Sequence, residues 1–189
     1  FAKDRLHLRH YSDERQGCVI DESAKIGVGT IIMSNVVIGP KVEIGKKCLI
    51  KSNTVIGEKG FSFGFDEDLT PYEIVHAGGV VIGNYVEVGS NCTVCSGTIH
   101  PTILEDYVKL DDHIHIAHNC QVDEKTIVTA GVTLAGGVHI GQKCWIGMGS
   151  RITNKVSIGE CAIVGQGANV MKNVNPYDVV VGNPAKFLR

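Results

Sequence analysis

The segment DDHIHIAHNCQVDEKT, residues 111–126, places His113, His115 and His118 within six positions of a chain that has only eight histidines. Imidazole exchanges a proton near neutral pH, and it is also the commonest ligand of transition metals. The segment therefore predicts either general acid–base chemistry or a metal site, unless the three rings are simply solvated. The direction in which each ring points decides between these hypotheses, and the surrounding repeat fixes that direction.

A six-residue period runs through most of the chain and predicts its architecture. Glycine often follows the aliphatic residue of each repeat, and the residue two positions before it is Cys, Ala, Thr, Val, Ser or Ile. This pattern is typical of short strands joined by tight turns, with the aliphatic side chain inward, so that stacked units bury one aliphatic column. The 22 aliphatic positions are Ile20, Ile26, Ile32, Ile38, Ile44, Ile50, Ile56, Ile82, Val88, Val94, Leu104, Leu110, Ile116, Val122, Val128, Leu134, Ile140, Ile146, Ile152, Ile158, Val164 and Val170.

Composition excludes several classes of protein. The formal net charge of −2 is too weak to favour a nucleic-acid partner. No apolar run approaches the ~20 residues of a membrane span, and no signal peptide is evident, so we expect a cytoplasmic protein without membrane insertion. The odd number of cysteines, seven, suits a reducing compartment. Most of them fall on the small inward position of the repeat and are expected to pack there: Cys18, Cys48, Cys92, Cys120 and Cys144.

The period is interrupted twice, and interruptions of a regular scaffold are where function concentrates. Residues 60–79 leave the frame as a long loop, in which Phe63 and Phe65 either stack on a nucleotide base or anchor the loop. The second break, TIHP at 98–101, contains His100. We therefore divide the chain into an N-terminal segment, a repeat domain and a C-terminal cap, at 1–17, 18–173 and 174–189.

The repeat frame orients the three histidines. Because Ile116 is the inward residue of its hexad, His115 beside it faces outward and His118 lies in the following turn, pointing away from the column. His113 ends the previous hexad. None of the three is predicted to be a core histidine.

The repeat is similar to that of the hexapeptide-repeat acyltransferases over roughly residues 18–173. The resemblance implies an all-β fold, a left-handed parallel β-helix with three hexads per coil, and hence about seven coils with an inserted loop and a short cap. It also implies a homotrimer with active sites between subunits. Outward aliphatic residues such as Val37, Val55 and Ile127 suit burial against other subunits, and the 60–79 loop would then complete a neighbour's site.

The segment IHIAHNCQV resembles the QIAHN segment of the UDP-3-O-acylglucosamine N-acyltransferases of lipid A synthesis, and TIVTAGVTLAGGVHIG and the GFSFGF loop resemble the same family. The resemblance implies that His118 is the general base that takes a proton from an amine attacking a thioester. It implies that Gly136, eighteen residues or one coil later, offers its backbone N–H to the developing oxyanion. No suitably placed cysteine indicates an acyl-enzyme, so we expect direct transfer.

Other features depart from that family. It has an N-terminal uridine-binding domain and a C-terminal helical extension for acyl carrier protein, whereas seventeen residues precede the repeat here. Lys155 stands where a second functional histidine would align. The end of the chain, VVVGNPAKFLR, resembles the GNPAK segment of acetyl-CoA-dependent acetyltransferases acting on nucleotide-linked amino sugars of O-antigen and other glycan precursors, a lipopolysaccharide-type pathway.

We therefore predict an N-acetyltransferase that moves an acetyl group from acetyl-CoA to a nucleotide-linked amino sugar. The alternative is an N-acyltransferase of the lipid A type that uses acyl carrier protein. Residues expected to bind acetyl-CoA are Gly136, Asn154, Lys155, Gly165, Lys172 and Lys186, with Arg189 adding charge for phosphates. Residues expected to bind the sugar substrate are Phe63, Phe65, His100, His115 and Asn119.

Two further hypotheses compete with acyl transfer. In a zinc enzyme resembling the γ-type carbonic anhydrases, His113 and His118 would be ligands, with His76 or His100 as the third. Against it, Asp123 stands where another histidine of that family would fall, and no metal is expected. In a non-enzymatic scaffold, the outer faces would be uniform and the repeat unbroken.

Overall fold

The structure, a computed structural model, describes residues 12–13 and 15–189. Most of the predicted N-terminal segment, residues 1–11 and 14, lies outside the described residues. In the rest, strands of two or three residues form three long sheets and one small hairpin. No helix occurs among the residues that the structure describes, and hence none that could span a membrane.

The three sheets are the faces of a solenoid, and each takes one strand from every coil. The first sheet contains Val19–Ile20, Val37–Ile38, Val55–Ile56, Thr93–Val94, His115–Ile116, Thr133–Leu134, Arg151–Ile152 and Asn169–Val170. The second contains Lys25–Ile26, Val42–Ile44, Val80–Ile82, Thr102–Leu104, Gln121–Val122, His139–Ile140 and Ser157–Ile158. The third contains Ile31–Ile32, Leu49–Ile50, Glu87–Val88, Lys109–Leu110, Ile127–Val128, Trp145–Ile146, Ile163–Val164, Val179–Val181 and Lys186–Phe187.

The register between coils follows the six-residue repeat. Val37 pairs with Val55 in parallel, and His115 pairs with Thr133, so one coil is three repeats long. The step lengthens where Val55 pairs with Thr93 and where Thr93 pairs with His115, which are the two predicted breaks. The parallel β-helix predicted from the sequence is therefore confirmed.

The coil count of about seven is too low. The third sheet continues with Val179–Val181, which pairs in parallel with Ile163–Val164, and Val174 bridges Ile158. In this last coil the pairing step is two residues shorter than in the preceding coils, so its residues fall out of the six-residue frame. Residues 174–189, the predicted cap, thus begin with a further coil and end in the antiparallel strand Lys186–Phe187.

The core is the predicted aliphatic column. Side chains such as Ile116, Leu134 and Ile140 have no solvent exposure, and burial of each stabilises the fold by about 1.5–3 kcal/mol. The small inward positions beside them hold buried cysteines and threonines. Burial raises the pKa of the Cys92 thiol to about 11 and that of Cys120 to about 12, so both remain protonated packing residues.

The first break, residues 60–79, forms an arm on the outside of the solenoid. Phe63–Phe65 pairs with Pro71–Glu73 as an antiparallel hairpin, and the side chain of Asp66 accepts hydrogen bonds from the backbone N–H groups of Asp68 and Thr70 at its tip. The arm returns to the solenoid at Gly79, whose N–H donates to Ser96 Oγ over 2.9 Å. Its root is therefore fixed to the coil that also carries the second break.

Candidate active site

His118 lies at the corner between the first and second sheets. Ile116 and Cys120 on either side of it are fully buried and point into the column, whereas the His118 side chain is half-buried on the outer edge. This is the direction that the repeat frame predicts. The imidazole is thus held by a rigid coil and remains reachable from outside.

Asn119 fixes the tautomer of His118. Its Oδ1 lies 3.0 Å from His118 Nδ1 and also accepts from the backbone N–H of Thr98, while its Nδ2 donates to the backbone carbonyl of His100 over 3.0 Å. A backbone N–H can only donate and a carbonyl can only accept, so the orientation of the amide is determined. The proton of neutral His118 therefore sits on Nδ1, which leaves the Nε2 lone pair available as a base.

Gly136 lies against the basic edge of the ring. A Cβ built on Gly136 would lie 2.6 Å from Cε1 and 2.7 Å from Nε2 of His118, so only glycine leaves the imidazole in place. The corner is held together by Gly137 N–H, which donates to the His118 carbonyl over 2.9 Å. The N–H of Gly136 has no acceptor within the described part of the chain, so it remains available to a ligand that reaches this corner.

The two breaks in the repeat meet at this corner. In the arm, Ala77 N–H donates to the Thr98 carbonyl and Gly78 N–H donates to the Gly97 carbonyl, each over 2.8 Å. Thr98 in turn donates from both its backbone N–H and its hydroxyl to Asn119 Oδ1. The arm, the short insertion and the His118 coil therefore form one hydrogen-bonded unit.

His76, which the sequence suggested only as a possible zinc ligand, also lies at this site. Its ring lies edge to face with that of His118, with centroids 5.3 Å apart and planes at 73°. Gly60 fills the space beside both rings: a Cβ there would lie 2.9 Å from His76 Nε2 and 3.1 Å from His118 Cδ2. The arm thus contributes His76 to the site of its own chain. That the arm also completes a neighbour's site stays a prediction.

Two of the predicted substrate contacts, His100 and Asn119, come together at His118. Asn119 bonds directly to it, and His100 contributes a backbone carbonyl to Asn119 while its own side chain is exposed. His115 faces outward on the first sheet, where its Nδ1 lies 2.6 Å from Thr93 Oγ1. Burial of the His115 ring lowers its pKa below the ordinary value.

Phe63 and Phe65, the other predicted substrate contacts, lie on the hairpin and are largely exposed, at 43% and 64%. Phe63 packs edge to face on Phe61, with ring centroids 4.8 Å apart. The phenylalanines of the hairpin therefore do not anchor the arm to the coils of their own chain. They present an apolar surface to whatever approaches the arm.

The residues predicted to bind the donor divide between two corners. Asn154, Lys155 and Lys172 follow His118 and Gly136 along the same corner, and all three are exposed. Gly165 and Lys186 belong to the third sheet's side of the solenoid, where Gly165 N–H donates to the Val180 carbonyl. Within one chain, a donor bound along the His118 corner would therefore contact Asn154, Lys155 and Lys172 but would not contact Gly165 or Lys186.

The zinc hypothesis finds no support in the side-chain geometry. His76 and His118 come together, but the residues that the structure describes contain no group of three His, Cys, Asp or Glu side chains that could hold a metal ion. His113 is exposed at another corner, and its N–H donates to the Ser90 carbonyl.

A separate groove of about 830 Å³ lies beside the second sheet, away from His118. Its lining includes the carboxylates Glu105, Asp123, Glu124 and Glu160, and Asp123 is paired with His139 over 2.9 Å. This negative lining would repel the phosphates of a nucleotide. Charge therefore favours the His118 corner, with Lys155 and Lys172 along it, for nucleotide-linked ligands.

Known proteins resemble this chain both in sequence and in fold. The family model described as bacterial transferase hexapeptide (six repeats) matches residues 23–58 and 137–172. UDP-3-O-acylglucosamine N-acyltransferase 2 of Legionella pneumophila (strain Paris) is 34% identical over 155 residues, 82% of this chain and 41% of the relative. The protein of the same name from strain Lens is 41% identical over 124 residues, 65% of this chain and 36% of the relative.

Solved structures of acyltransferases resemble this chain in fold. The UDP-N-acetylglucosamine acyltransferase from Campylobacter jejuni has a TM-score of 0.82 and 25% identity, covering 90% of this chain and 65% of that one. The Francisella novicida UDP-N-acetylglucosamine acyltransferase has a TM-score of 0.77 and 25% identity, covering 90% and 67%. The resemblance to left-handed β-helix acyltransferases predicted from the sequence is confirmed. The chain spans about two fifths of the length of the curated relatives it matches.

These relatives overturn the preferred prediction of acetyl transfer from acetyl-CoA in O-antigen or glycan synthesis. They are named for N-acyl transfer to UDP-3-O-acylglucosamine and for acyl transfer to UDP-N-acetylglucosamine, which agrees with the alternative prediction. The acetyl prediction depended on the GNPAK segment, residues 182–186, most of which is exposed beyond the last parallel coil. The match to the curated relatives extends over most of the chain, including the coils around His118, and outweighs that short segment.

Proposed function

Because this chain carries the hexapeptide repeat of the acyltransferases it resembles, we propose that it transfers an acyl group from a thioester to a UDP-linked amino sugar. Following the curated relatives, the acceptor is the amine of UDP-3-O-acylglucosamine. The single observation that carries the proposal is the His118 corner, where Asn119 leaves Nε2 unprotonated and the Gly136 backbone lies against the ring, its N–H without an acceptor among the described residues.

The geometry supports a direct transfer. The acceptor amine attacks the thioester carbonyl carbon while His118 Nε2 removes a proton from the nitrogen. The carbonyl oxygen gains negative charge and accepts a hydrogen bond from Gly136 N–H. The C–S bond then breaks, and the imidazolium returns its proton to the thiolate.

Asn119 supports both protonation states of this base. Its Oδ1 accepts from His118 Nδ1 in the neutral ring and in the imidazolium, so the ring keeps its orientation throughout the cycle. Burial raises the pKa of the Cys95 thiol, the cysteine nearest the arm's return, and opposes its use as a nucleophile. The proposed mechanism therefore needs no acyl-enzyme.

We also propose that the chain acts as a homotrimer. Ile127, Trp145 and Ile163 are neighbours in register on the third sheet, and each is between 37% and 48% exposed. A ladder of exposed apolar side chains on a flat face is typical of a surface that another subunit covers. The exposed aromatic residues of the arm support the same conclusion.

The test is a turnover assay with purified protein, following free thiol release. Acceptors are UDP-3-O-acylglucosamine, UDP-glucosamine and UDP-N-acetylglucosamine. Donors are a long-chain acyl group on acyl carrier protein, the same acyl group on coenzyme A, and acetyl-CoA. We expect turnover with an amine acceptor and a loss of roughly 10²–10⁴-fold in His118→Ala, the contribution of a general base.

Each acceptor and each donor in this assay tests a different part of the proposal. Turnover on UDP-N-acetylglucosamine alone would replace the amine by a hydroxyl acceptor, and turnover with acetyl-CoA alone would restore the acetyl donor. His118→Ala with wild-type turnover and an unchanged melting temperature would remove His118 from the mechanism. An exposed histidine at another corner, changed as His113→Gln, is the matched control and should retain activity.

A further inference from the structure

His76 is the one imidazole at the site to which the proposed mechanism gives no role. Both of its nitrogens are buried and neither has a hydrogen-bond partner within the described residues. Leaving a buried polar group unpaired costs about 1–3 kcal/mol, so folded proteins rarely retain such a group without a function. A phenylalanine would fill the same space without that cost.

The position of His76 relates it to the reaction. Its ring lies 5.3 Å from that of His118, and Gly60 leaves space for no more than a hydrogen atom beside the two rings. A group hydrogen-bonded to His118 Nε2 is therefore close to His76, directly or through one water. Because both His76 nitrogens are buried, the acceptor has to open the contact between the two rings before a proton can reach one of them.

Starting from an ammonium ion, N-acyl transfer requires two proton acceptors, and this inference rests on the proposed function. The amine of a sugar arrives near neutral pH partly as an ammonium ion, which has no lone pair for attack. One proton must leave before the C–N bond forms and a second must leave afterwards. His118 accounts for the second proton, which it passes to the departing thiolate.

We propose that His76 accepts the first proton. The ammonium ion loses this proton to a His76 nitrogen, and the free amine then attacks while His118 removes the next proton. The products are the amide, the free thiol on the donor carrier and protonated His76, which releases its proton to solvent. An O-acyl transfer has only one proton to move and would need only His118.

Charged groups on the neighbouring elements complete the surroundings of His76. Across from it lies His118, and Lys41 of the second sheet's corner donates to the carbonyl of Ala77, the next residue after His76. On the arm itself, Lys59 is paired with Glu73 over 2.8 Å. The Glu58 carbonyl accepts from the backbone N–H of Ser96 over 2.8 Å where the arm leaves the coil. Among the described residues, none of these contacts reaches a His76 nitrogen.

The test is the pH dependence of kcat/KM between about pH 6 and 9 for His76→Phe and His76→Gln. Phenylalanine keeps a ring against His118 without a base, and glutamine keeps hydrogen bonding without a base. We expect both variants to lose roughly 10²-fold at the acid end and to approach the wild type at the alkaline end, where the acceptor arrives as free amine. His113→Gln should follow the wild-type profile, and His118→Ala should stay low at every pH.

Each result decides between this inference and the proposed function. His76 variants with the wild-type profile, or with an equal loss at every pH, would show that the ring only packs against His118, and the proton role would be abandoned. Wild-type protein without turnover on any amine acceptor would remove the proposed function and this inference together. Thermal unfolding of each variant separates a loss of folded protein from a loss of proton transfer.

Discussion

At the scale of single residues, His118 is constrained as much by missing side chains as by bonds. Asn119 holds one edge of its ring through Nδ1, and the glycines at 60 and 136 bring backbone against the other sides. A ring held in this way loses little entropy when a substrate binds. The position of the His118 ring therefore depends on glycine at both places, because any other residue would put a Cβ too close to the ring.

Gly136→Ala tests this steric constraint. The added methyl overlaps Cε1 and Nε2 of His118, and the backbone of Gly136 is not in the left-handed region, so alanine is otherwise acceptable there. We expect kcat to fall by roughly 10²-fold or more, because the base is displaced, with a change of less than about 1 kcal/mol in unfolding free energy. Steady-state kinetics and urea unfolding measure the two effects.

Gly149→Ala is the control for the Gly136 variant. Gly149 has a φ of +68° at another corner, with nothing within 4 Å of a built Cβ. Alanine there strains the backbone by about 1–2 kcal/mol and leaves His118 untouched. A Gly136→Ala enzyme as active as wild type would contradict the proposed position of the base.

His115 gives a prediction for the pH dependence of stability. Burial lowers its pKa in the folded protein below the ordinary 6.5, so the unfolded chain binds more protons just below that pH. Stability should therefore fall as the pH drops from about 6.5 through the folded-state pKa. His115→Gln should lose less stability than the wild type between about pH 7.5 and 5, measured by urea unfolding, whereas His113→Gln should behave as wild type.

Sequence reasoning reached some of these residues and missed others. The direction of His118 follows from the repeat, because one inward neighbour fixes every position of a hexad. The bond from Asn119 to His118 depends on Thr98 and the carbonyl of His100, which come from the preceding coil. His76 lies in a segment without any period, so no frame could orient it.

At the scale of elements, the inner column shows which small residues hold adjacent coils together. Thr126 is fully buried, and its hydroxyl donates to the Gly141 carbonyl over 2.8 Å and accepts from Cys144 N–H over 3.0 Å. Ser150 is equally buried, but its hydroxyl has no partner among the described residues. The two hydroxyls occupy similar positions in the repeat, but only that of Thr126 forms hydrogen bonds between coils.

A paired comparison measures that difference. Thr126→Val keeps the shape and leaves a carbonyl and an N–H unpaired, so it should cost about 1–3 kcal/mol of unfolding free energy. Ser150→Ala removes a buried hydroxyl that makes no hydrogen bond within the described residues, so the change should be neutral or should stabilise the fold by up to about 1 kcal/mol. The midpoints of urea unfolding, compared at an unchanged denaturant slope, give the change in unfolding free energy for each variant. Equal changes in the two variants would contradict the assigned hydrogen bonds.

Element boundaries were predictable wherever the period continued. Both breaks were located from the sequence because the six-residue frame resumes after each of them with a shift. The separations are 26 residues from Ile56 to Ile82 and 10 residues from Val94 to Leu104, and neither is a multiple of six. The final coil was missed because its shorter step puts Val174 and Val180 out of phase with Val170. A hydrophobic pattern reports pairing only while the turns keep the same length.

At the scale of the whole molecule, the apolar ladder on the third sheet determines the expected assembly. Trp145 lies between Ile127 and Ile163 and is 48% exposed in the single chain. Trp145→Glu should convert a homotrimer into monomers, because a buried unpaired carboxylate in each interface is strongly unfavourable. Light scattering after size-exclusion chromatography measures the mass, and Arg151→Glu on another face is the control.

An unchanged trimer in the Trp145 variant would place the interface elsewhere. A monomeric wild-type protein would contradict the proposed assembly itself. Activity measured on the same samples would then show whether a single chain suffices for turnover.

The third sheet ends by reversing its direction. Every strand before Lys186–Phe187 runs the same way, so the open edge of each coil is a template for the next, but this strand runs antiparallel to Val179–Val181. Parallel stacking cannot be propagated in the same pattern from an edge of opposite polarity. The reversal therefore interrupts parallel stacking on this face, where Lys186–Phe187 presents an edge of the opposite polarity.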